Sequence, residues 1–357
     1  MNIGFFGSSL LSAYWNGAAT YYRGLIRALH ARGHQVTFFE PDAYERQSHR
    51  DIEPPGWARV VVYENDPASA LAQVEQCASM DLVIKASGVG VFDELLETSV
   101  LELKSKGVLV CFWDVDAPAT LERVEANPHD PFRSLIPQYD SILTYGGGKP
   151  VVDHYTLLGA RECVPIYNAL DPEVHFPVPS EARFSADLAF LGNRLPDREA
   201  RVDEFFFSAA RALPGHRFTL GGSGWDDKSR PENVAYLGHV YTADHNAFSC
   251  SATAVLNVSR ESMARYGFSP ATRVFEAAGA GACIITDFWE GIEEFFDPGD
   301  EILVAHDGVE VVQTLSELDP ARAKEIGNAA FRRARSQHTY AQRAEQFERV
   351  IEAPPVA

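Results

Sequence analysis

Arg273 and Glu276 stand three residues apart in the stretch SPATRVFEAAGAGACIITD, residues 269–287 of a 357-residue chain. On a helix that spacing makes them neighbours on one face. Around them lie Val274, Phe275, Ala277 and Ala278, so two opposite charges sit in an otherwise apolar segment. Ser269 has the side chain of an N-cap, and Pro270 suits the first helical position. A helix N-terminus presents unpaired N–H groups and the positive end of the dipole, which suits a phosphate, and an arginine fork beside it can grip two phosphate oxygens. The backbone of Ser269 to Arg273, Thr272 included, together with Arg273 would then hold a diphosphate, while Glu276 accepts from the vicinal hydroxyls of a ribose. The same spacing also describes an ordinary intrahelical ion pair, and both readings stand at this level.

A second cluster is FLGNRLPDR, residues 190–198, where Arg194 directly follows an apolar run and Arg198 opens the next helical pattern. Fork-like guanidinium groups suit a diphosphate leaving group, whose charge grows as the bond to it breaks. In WDVD, residues 113–116, Asp114 and Asp116 end another apolar run as an Asp-x-Asp pair, residue types able to bind a metal or take a proton, and Asp116 also reads as a helix cap. Gly7, Asn16 and Gly17 lie between the first strand and the first helix, where glycine allows close approach of a ligand and Asn16-Gly17 can cap the helix. Gly4 and Gly7 are not followed by a third glycine at dinucleotide spacing, which speaks against NAD. The five cysteines show no Cys-x-x-Cys spacing and the eleven histidines are scattered along the chain, so no metal site is expected.

These residues need elements to hold them. Residues 3–6, 35–39, 60–63, 82–86, 108–113, 142–144 and 163–166 are short apolar runs separated by helical patterns such as 68–80 and 92–106. Residues Tyr22, Leu25, Ile26 and Leu29 mark one face of the first helix. Strands alternating with helices predict a parallel sheet covered on both faces. After a proline-rich stretch at 167–180 a second series begins, at 188–191, 217–220, 234–237, 254–258, 284–286 and 302–304. The expected fold is therefore α/β, with two Rossmann-like parallel-sheet domains facing across a cleft. Residues 1–168 form the first, 169–335 the second, and 336–357 a final helix.

A chain of this length with 46% hydrophobic residues can bury two cores. Its 31 basic and 50 acidic residues give a formal charge of −19, which opposes sequence-independent binding to nucleic acid or an anionic membrane. The N-terminus reads straight into a strand without a signal-peptide pattern, no apolar run approaches the roughly 20 residues of a membrane span, and the scattered cysteines read as reduced. The expectation is a cytoplasmic protein.

The runs LNVSRESM (256–263), YGFSPATRVFEA (266–277) and GAGAC (279–283) resemble the donor-binding segment of CgeB-like glycosyltransferases, relatives of the family 4 sugar-nucleotide transferases of GT-B fold. The resemblance covers mainly the C-terminal half. Of the two glutamates in that family's pattern the second falls on Glu276, whereas the first falls on Phe268. The resemblance implies a metal-independent, retaining transfer of a sugar from a nucleoside diphosphate donor, UDP favoured, to an unknown acceptor, with no further cofactor. It implies that Arg194 and Arg198 serve the diphosphate, that His239 and Val240 present backbone to the base, that Arg260 lies near the donor, that Asp114 or Asp116 faces the acceptor, and that the last helix crosses back to the first domain. A nucleotide-sugar epimerase of the same fold and a non-catalytic sugar-nucleotide binding protein are the alternatives.

Overall fold

The computed structural model describes residues 1–352 and divides into two compact units, the first comprising Met1–Tyr167 and the segment from Tyr340, the second Asn168–Thr339. The first unit carries a seven-stranded sheet of β1 (Asn2–Phe6), β2 (Gln35–Pro41), β3 (Arg59–Tyr63), β4 (Leu82–Ala86), β5 (Leu109–Asp114), β6 (Ser141–Thr144) and β7 (Cys163–Pro165), in the order β3-β2-β1-β4-β5-β6-β7. Every pairing is parallel, with Phe5 opposite Phe38 on one side and Ile84 on the other. Parallel strands must be covered on both faces, which is why β4 reads Leu-Val-Ile-Lys-Ala and is buried throughout.

The order changes direction between β1 and β4, so the loops leaving these strands diverge and open a crevice at their carboxyl ends. Gly7 turns the first of these loops beneath the ring of Phe38, where a Cβ would come within 2.4 Å of that ring. The helix Ala19–Ala31 starts after Ala18, with no side-chain cap, and this corrects the expected Asn16-Gly17 cap. Asn16 instead turns inward, donating to the Ser9 and Ser12 carbonyls at 2.9 and 3.0 Å and accepting from Ser8 Oγ, so its side chain braces the loop.

The helix Tyr340–Glu352 belongs to this first unit. Gly24 makes room for it, since a Cβ there would lie 2.1 Å from the Tyr340 ring. Phe347 stacks on Trp113 at 5.6 Å, and Glu348 closes the end with Arg32 and His34 at 2.6 and 2.9 Å.

The second unit carries β8 (Ala186–Leu191), β9 (Phe218–Gly221), β10 (Val234–Tyr236), β11 (Ala252–Asn257), β12 (Ile284–Asp287) and β13 (Leu303–Ala305), again all parallel, in the order β10-β9-β8-β11-β12-β13. Its direction changes between β8 and β11. The core beneath joins Leu188, Phe190, Leu220, Leu256 and Ile285 from the sheet to Phe205, Phe206, Phe207 and Trp225. The predicted run 92–106 is one helix only to Ser99 and tightens into a 3-10 turn, Val100–Lys106, that ends on Gly107 at φ 84°. Among the described residues no helix is long and apolar enough to cross a membrane.

Candidate functional site

The loop after β8 is held by its neighbour after β9. Arg194 N donates to the Ser223 carbonyl at 2.9 Å, Ser223 N to Asn193 Oδ1 at 2.9 Å and Trp225 Nε1 to the Gly192 carbonyl at 2.8 Å. The approach is close enough that Gly222, at φ 121°, would set any Cβ 2.2 Å from the Gly192 oxygen. From this clasp Pro196 starts the helix Pro196–Val202 at the position where proline costs nothing.

The two arginines of this segment end up differently. Arg194 is paired on both Nη groups: it donates to Glu199 and to Asp227, each at 2.7 Å, and Glu199 also accepts from Lys228 at 2.9 Å. Arg198 turns back to donate through Nη2 to the Asn193 carbonyl, while its Nε–H is buried with no acceptor. Burial lowers its guanidinium to about 10, with Asp197 opposing and the charges of Arg260 and Arg273 lowering it further, so three arginines share one locality.

Arg260 follows β11 and opens the helix Glu261–Tyr266, its Nε donating to Asp197 Oδ2 at 2.6 Å. The strand ends beneath are fixed by Asp287, a fully buried carboxylate that accepts from Ser259 N at 3.0 Å and from Arg201 Nη2 at 2.6 Å. Burial raises its pKa, and Arg201 opposes the rise.

The helix carrying Arg273 spans Thr272–Gly279, and its N-cap is Ala271, not Ser269. Ser269 Oγ donates instead to the Gly267 carbonyl at 2.8 Å, which corrects the expected cap, and Phe268 beside it lies in the left-handed region at φ 45°. Thr272 is pinned by Asn168, whose Oδ1 accepts from Thr272 Oγ1 at 2.9 Å and whose Nδ2 donates to the Pro270 carbonyl at 3.0 Å. Val274 N already donates to the Ala271 carbonyl at 3.0 Å, so the N–H groups before it are the ones this helix start leaves without a carbonyl of its own.

Arg273 Nη1 lies 2.6 Å from Glu276 Oε2, and Glu276 is only 4% exposed. Two histidines close the pair. His245 Nδ1 lies 3.0 Å from Arg273 Nη1, and because a guanidinium only donates, Nδ1 accepts and Nε2–H donates to the Val240 carbonyl at 3.2 Å. Burial pulls His245 down to about 3, helped by the charge of Arg273 and opposed by Glu276, so it is neutral. His175 lies 3.6 Å from Glu276 Oε1, and burial lowers it too. The small residues after the helix have a packing reason: a Cβ on Gly279 would strike Leu170 at 2.3 Å and the His175 carbonyl at 3.0 Å.

Within the second unit, then, the structure brings together Arg198, Arg260, Arg273 and Glu276, with Val240 linked to them through His245. His239 is exposed, its ring edge-on to Tyr241 at 4.5 Å. His175 and His245 escape sequence reasoning because neither belongs to any spacing pattern. Their only sequence signal is residue type.

The remaining predicted residues lie in the first unit. Gly7 and Asn16 are buried in the loop after β1, and Gly17 has open space where a Cβ would go. Asp114 is fully buried, accepting from Ser87 Oγ at 2.8 Å, Thr120 Oγ1 at 3.0 Å, Asp116 N at 3.0 Å and Tyr155 OH at 2.5 Å. Burial raises its pKa, opposed by those hydrogen bonds. Asp116 precedes the helix Ala117–Ala126 without a side-chain capping bond. Among the described residues no group of three or more His, Cys, Asp or Glu side chains is placed to hold a metal ion.

Residues 198–349 match the family described as Glycosyl transferase-like. Curated protein sequences yield no match. Among solved structures, the chain is similar to HepE (Alr3699) of Anabaena in complex with UDP and glucose, at TM-score 0.70 and 14% identity over 98% of this chain and 99% of that one. It is similar to a sucrose-phosphate synthase from Thermosynechococcus elongatus, at TM-score 0.68 and 12% identity over 98% of both chains. An alpha-glucosyltransferase in complex with UDP aligns at TM-score 0.71 and 12% identity over 98% of this chain and 99% of that one. The two parallel-sheet α/β domains are thus of the GT-B type. The matched span takes in Arg198, Arg260, Arg273 and Glu276 and begins after Arg194.

Proposed function

We propose that this chain is a glycosyltransferase that moves a sugar from a nucleoside diphosphate sugar, UDP-sugar in the first instance, to an acceptor hydroxyl, with retention and without a metal. The observation that carries the reading is that Arg198 lies within electrostatic reach of Arg260 and of Arg273 in the first turn of the Thr272–Gly279 helix, with Glu276 paired to Arg273. The Glycosyl transferase-like match over the same residues and the UDP held by similar structures support it.

Arg198 and Arg273, with the helix N–H groups, would take the diphosphate and stabilise it as it leaves. Arg194 then serves the loop, since both its partners are carboxylates of its own surroundings. Glu276 would accept from the ribose hydroxyls, and His245 holds Arg273 in place.

A second reading, donor binding without transfer, rests on Phe268. The family pattern has a glutamate there, and here the ring packs so closely over Gly291 that a Cβ on Gly291 would come within 2.1 Å of it.

Calorimetric titration of the chain with UDP, GDP, dTDP, ADP and NAD, with and without magnesium, tests the proposal. We expect UDP to bind without metal. Binding of NAD alone, or of no nucleotide, would overturn it. Binding that requires magnesium would refute the metal-free mechanism. Turnover of UDP-glucose separates transfer from mere binding, and the anomeric configuration of the product, read by NMR, tests retention.

A further inference from the structure

In the first unit the loops leaving β1 and β4 are tied together by Arg46, whose Nη1 donates to the Ser8 carbonyl at 3.2 Å and the Val89 carbonyl at 3.3 Å. The residue is 8% exposed, and its Nε–H is buried without an acceptor. Among the described residues no carboxylate pairs with it. Glu40, which raises its pKa from a distance, spends its own oxygens on Ser9 Oγ, Leu10 N and Gln47 Nε2. Arg23 braces the same loop through the Leu10 carbonyl and shows the ordinary solution, a two-pronged pair with Asp51 at 2.7 and 2.8 Å. Burial lowers the Arg46 guanidinium below its usual value, yet an arginine remains charged at neutral pH. A buried cation without a countercharge is costly, and an anion is the group this chemistry lacks.

An aromatic ring stands beside this guanidinium, and a second exposed one lies on a neighbouring loop. Tyr44 is 56% exposed at φ 57°, with its ring 5.0 Å from the Arg46 guanidinium and its OH donating to the Gly90 carbonyl at 2.7 Å. Trp15 is 49% exposed at φ 47°, on a loop that meets the Arg46–His49 turn where Tyr14 stacks on His49 at 4.0 Å. Bulky residues in the left-handed region are strained, and such strain gathers at binding sites. Exposed aromatic faces match the apolar face of a sugar ring.

We propose that these loops bind a sugar bearing a carboxylate or phosphate, the anion meeting Arg46 and the ring lying against Tyr44 and Trp15. Calling that sugar the acceptor rests on the glycosyltransferase reading above; the anion site itself does not. The test is calorimetric titration of the full chain, wild type, R46Q and R46K, with glucose 6-phosphate, glucuronic acid, inorganic phosphate and glucose. We expect at least one anionic sugar to bind wild type about tenfold or more tighter than glucose, with the preference lost in R46Q and partly kept in R46K. Stronger binding of glucose 6-phosphate than of glucuronic acid identifies a phosphate site, and the reverse identifies a carboxylate site. Inorganic phosphate should compete.

Wild type that binds neither anionic sugar, or binds glucose as tightly, overturns the proposal, as does a folded R46Q that keeps the preference. If R46Q does not fold, wild type and R46K decide by the same criteria. UDP is titrated in parallel and should bind R46Q as it binds wild type. Failure of wild type to bind UDP would sink the donor reading and leave the anion site standing.

Discussion

Arg46 in the first unit and Arg198 in the second are counterparts: each leaves a buried Nε–H unanswered near the point where its sheet changes direction. Their surroundings differ. Arg198 has Arg260 and Arg273 for company, whereas Arg46 is ringed by carbonyls and aromatic rings. Several cations in one place suit a ligand with several negative charges, such as a diphosphate. A lone buried guanidinium suits one anionic group. The paired neighbours, Arg194 and Arg23, show that an unanswered arginine is not forced by the fold.

Arg273→Ala should have the largest effect, because it removes a ligand for phosphate and strands Glu276. Breaking a fully buried pair costs about 3–5 kcal/mol, and since Arg273 is 22% exposed we expect about 2–3 kcal/mol of lost stability in urea denaturation, together with weaker UDP binding. Unchanged stability would mean the pair is not closed in solution.

Arg198→Ala should separate binding from folding. UDP affinity should fall by about 1.5–3 kcal/mol, the scale of a charged hydrogen bond, while uridine, lacking phosphate, binds as before. Equal losses for UDP and uridine would remove Arg198 from the diphosphate site.

Acid should act next. The ordinary histidine value is about 6.5 and His245 is held at about 3, so below pH ~6.5 the unfolded chain takes up a proton that the native chain refuses. Stability from this group is complete above pH ~6.5 and is lost progressively as pH falls toward 3, with His175 acting in the same direction. The melting temperature of His245→Gln should therefore fall less steeply than that of wild type between pH 6.5 and 4. Parallel curves would show that His245 protonates freely.

The smallest effect belongs to Arg194→Ala, whose partners are half-exposed or exposed carboxylates. Little change in stability or UDP affinity is expected. A large loss of UDP affinity would return Arg194 to the diphosphate.

The alternation of short apolar runs with helical patterns determined two parallel-sheet domains, since a strand covered on both faces is apolar along most of its length. Arg273 and Glu276 were also legible together, because three residues on a helix is a fixed distance. Tertiary structure decided everything that depended on what a side chain meets. Ser269 looks like a cap, yet its hydroxyl turns to Gly267, and Asn168 takes up the helix start instead. Arg194 and Arg198 stand four residues apart beside one strand end, and the sequence offers both for the same diphosphate role. The clasp between the 192–194 and 222–225 loops places one among carboxylates and leaves the other unanswered. His175 and His245 approach Glu276 from distant segments that no local spacing connects. Local patterns are set by backbone geometry that repeats every few residues, whereas the state of a charged group is set by burial and by partners that only the folded chain assembles.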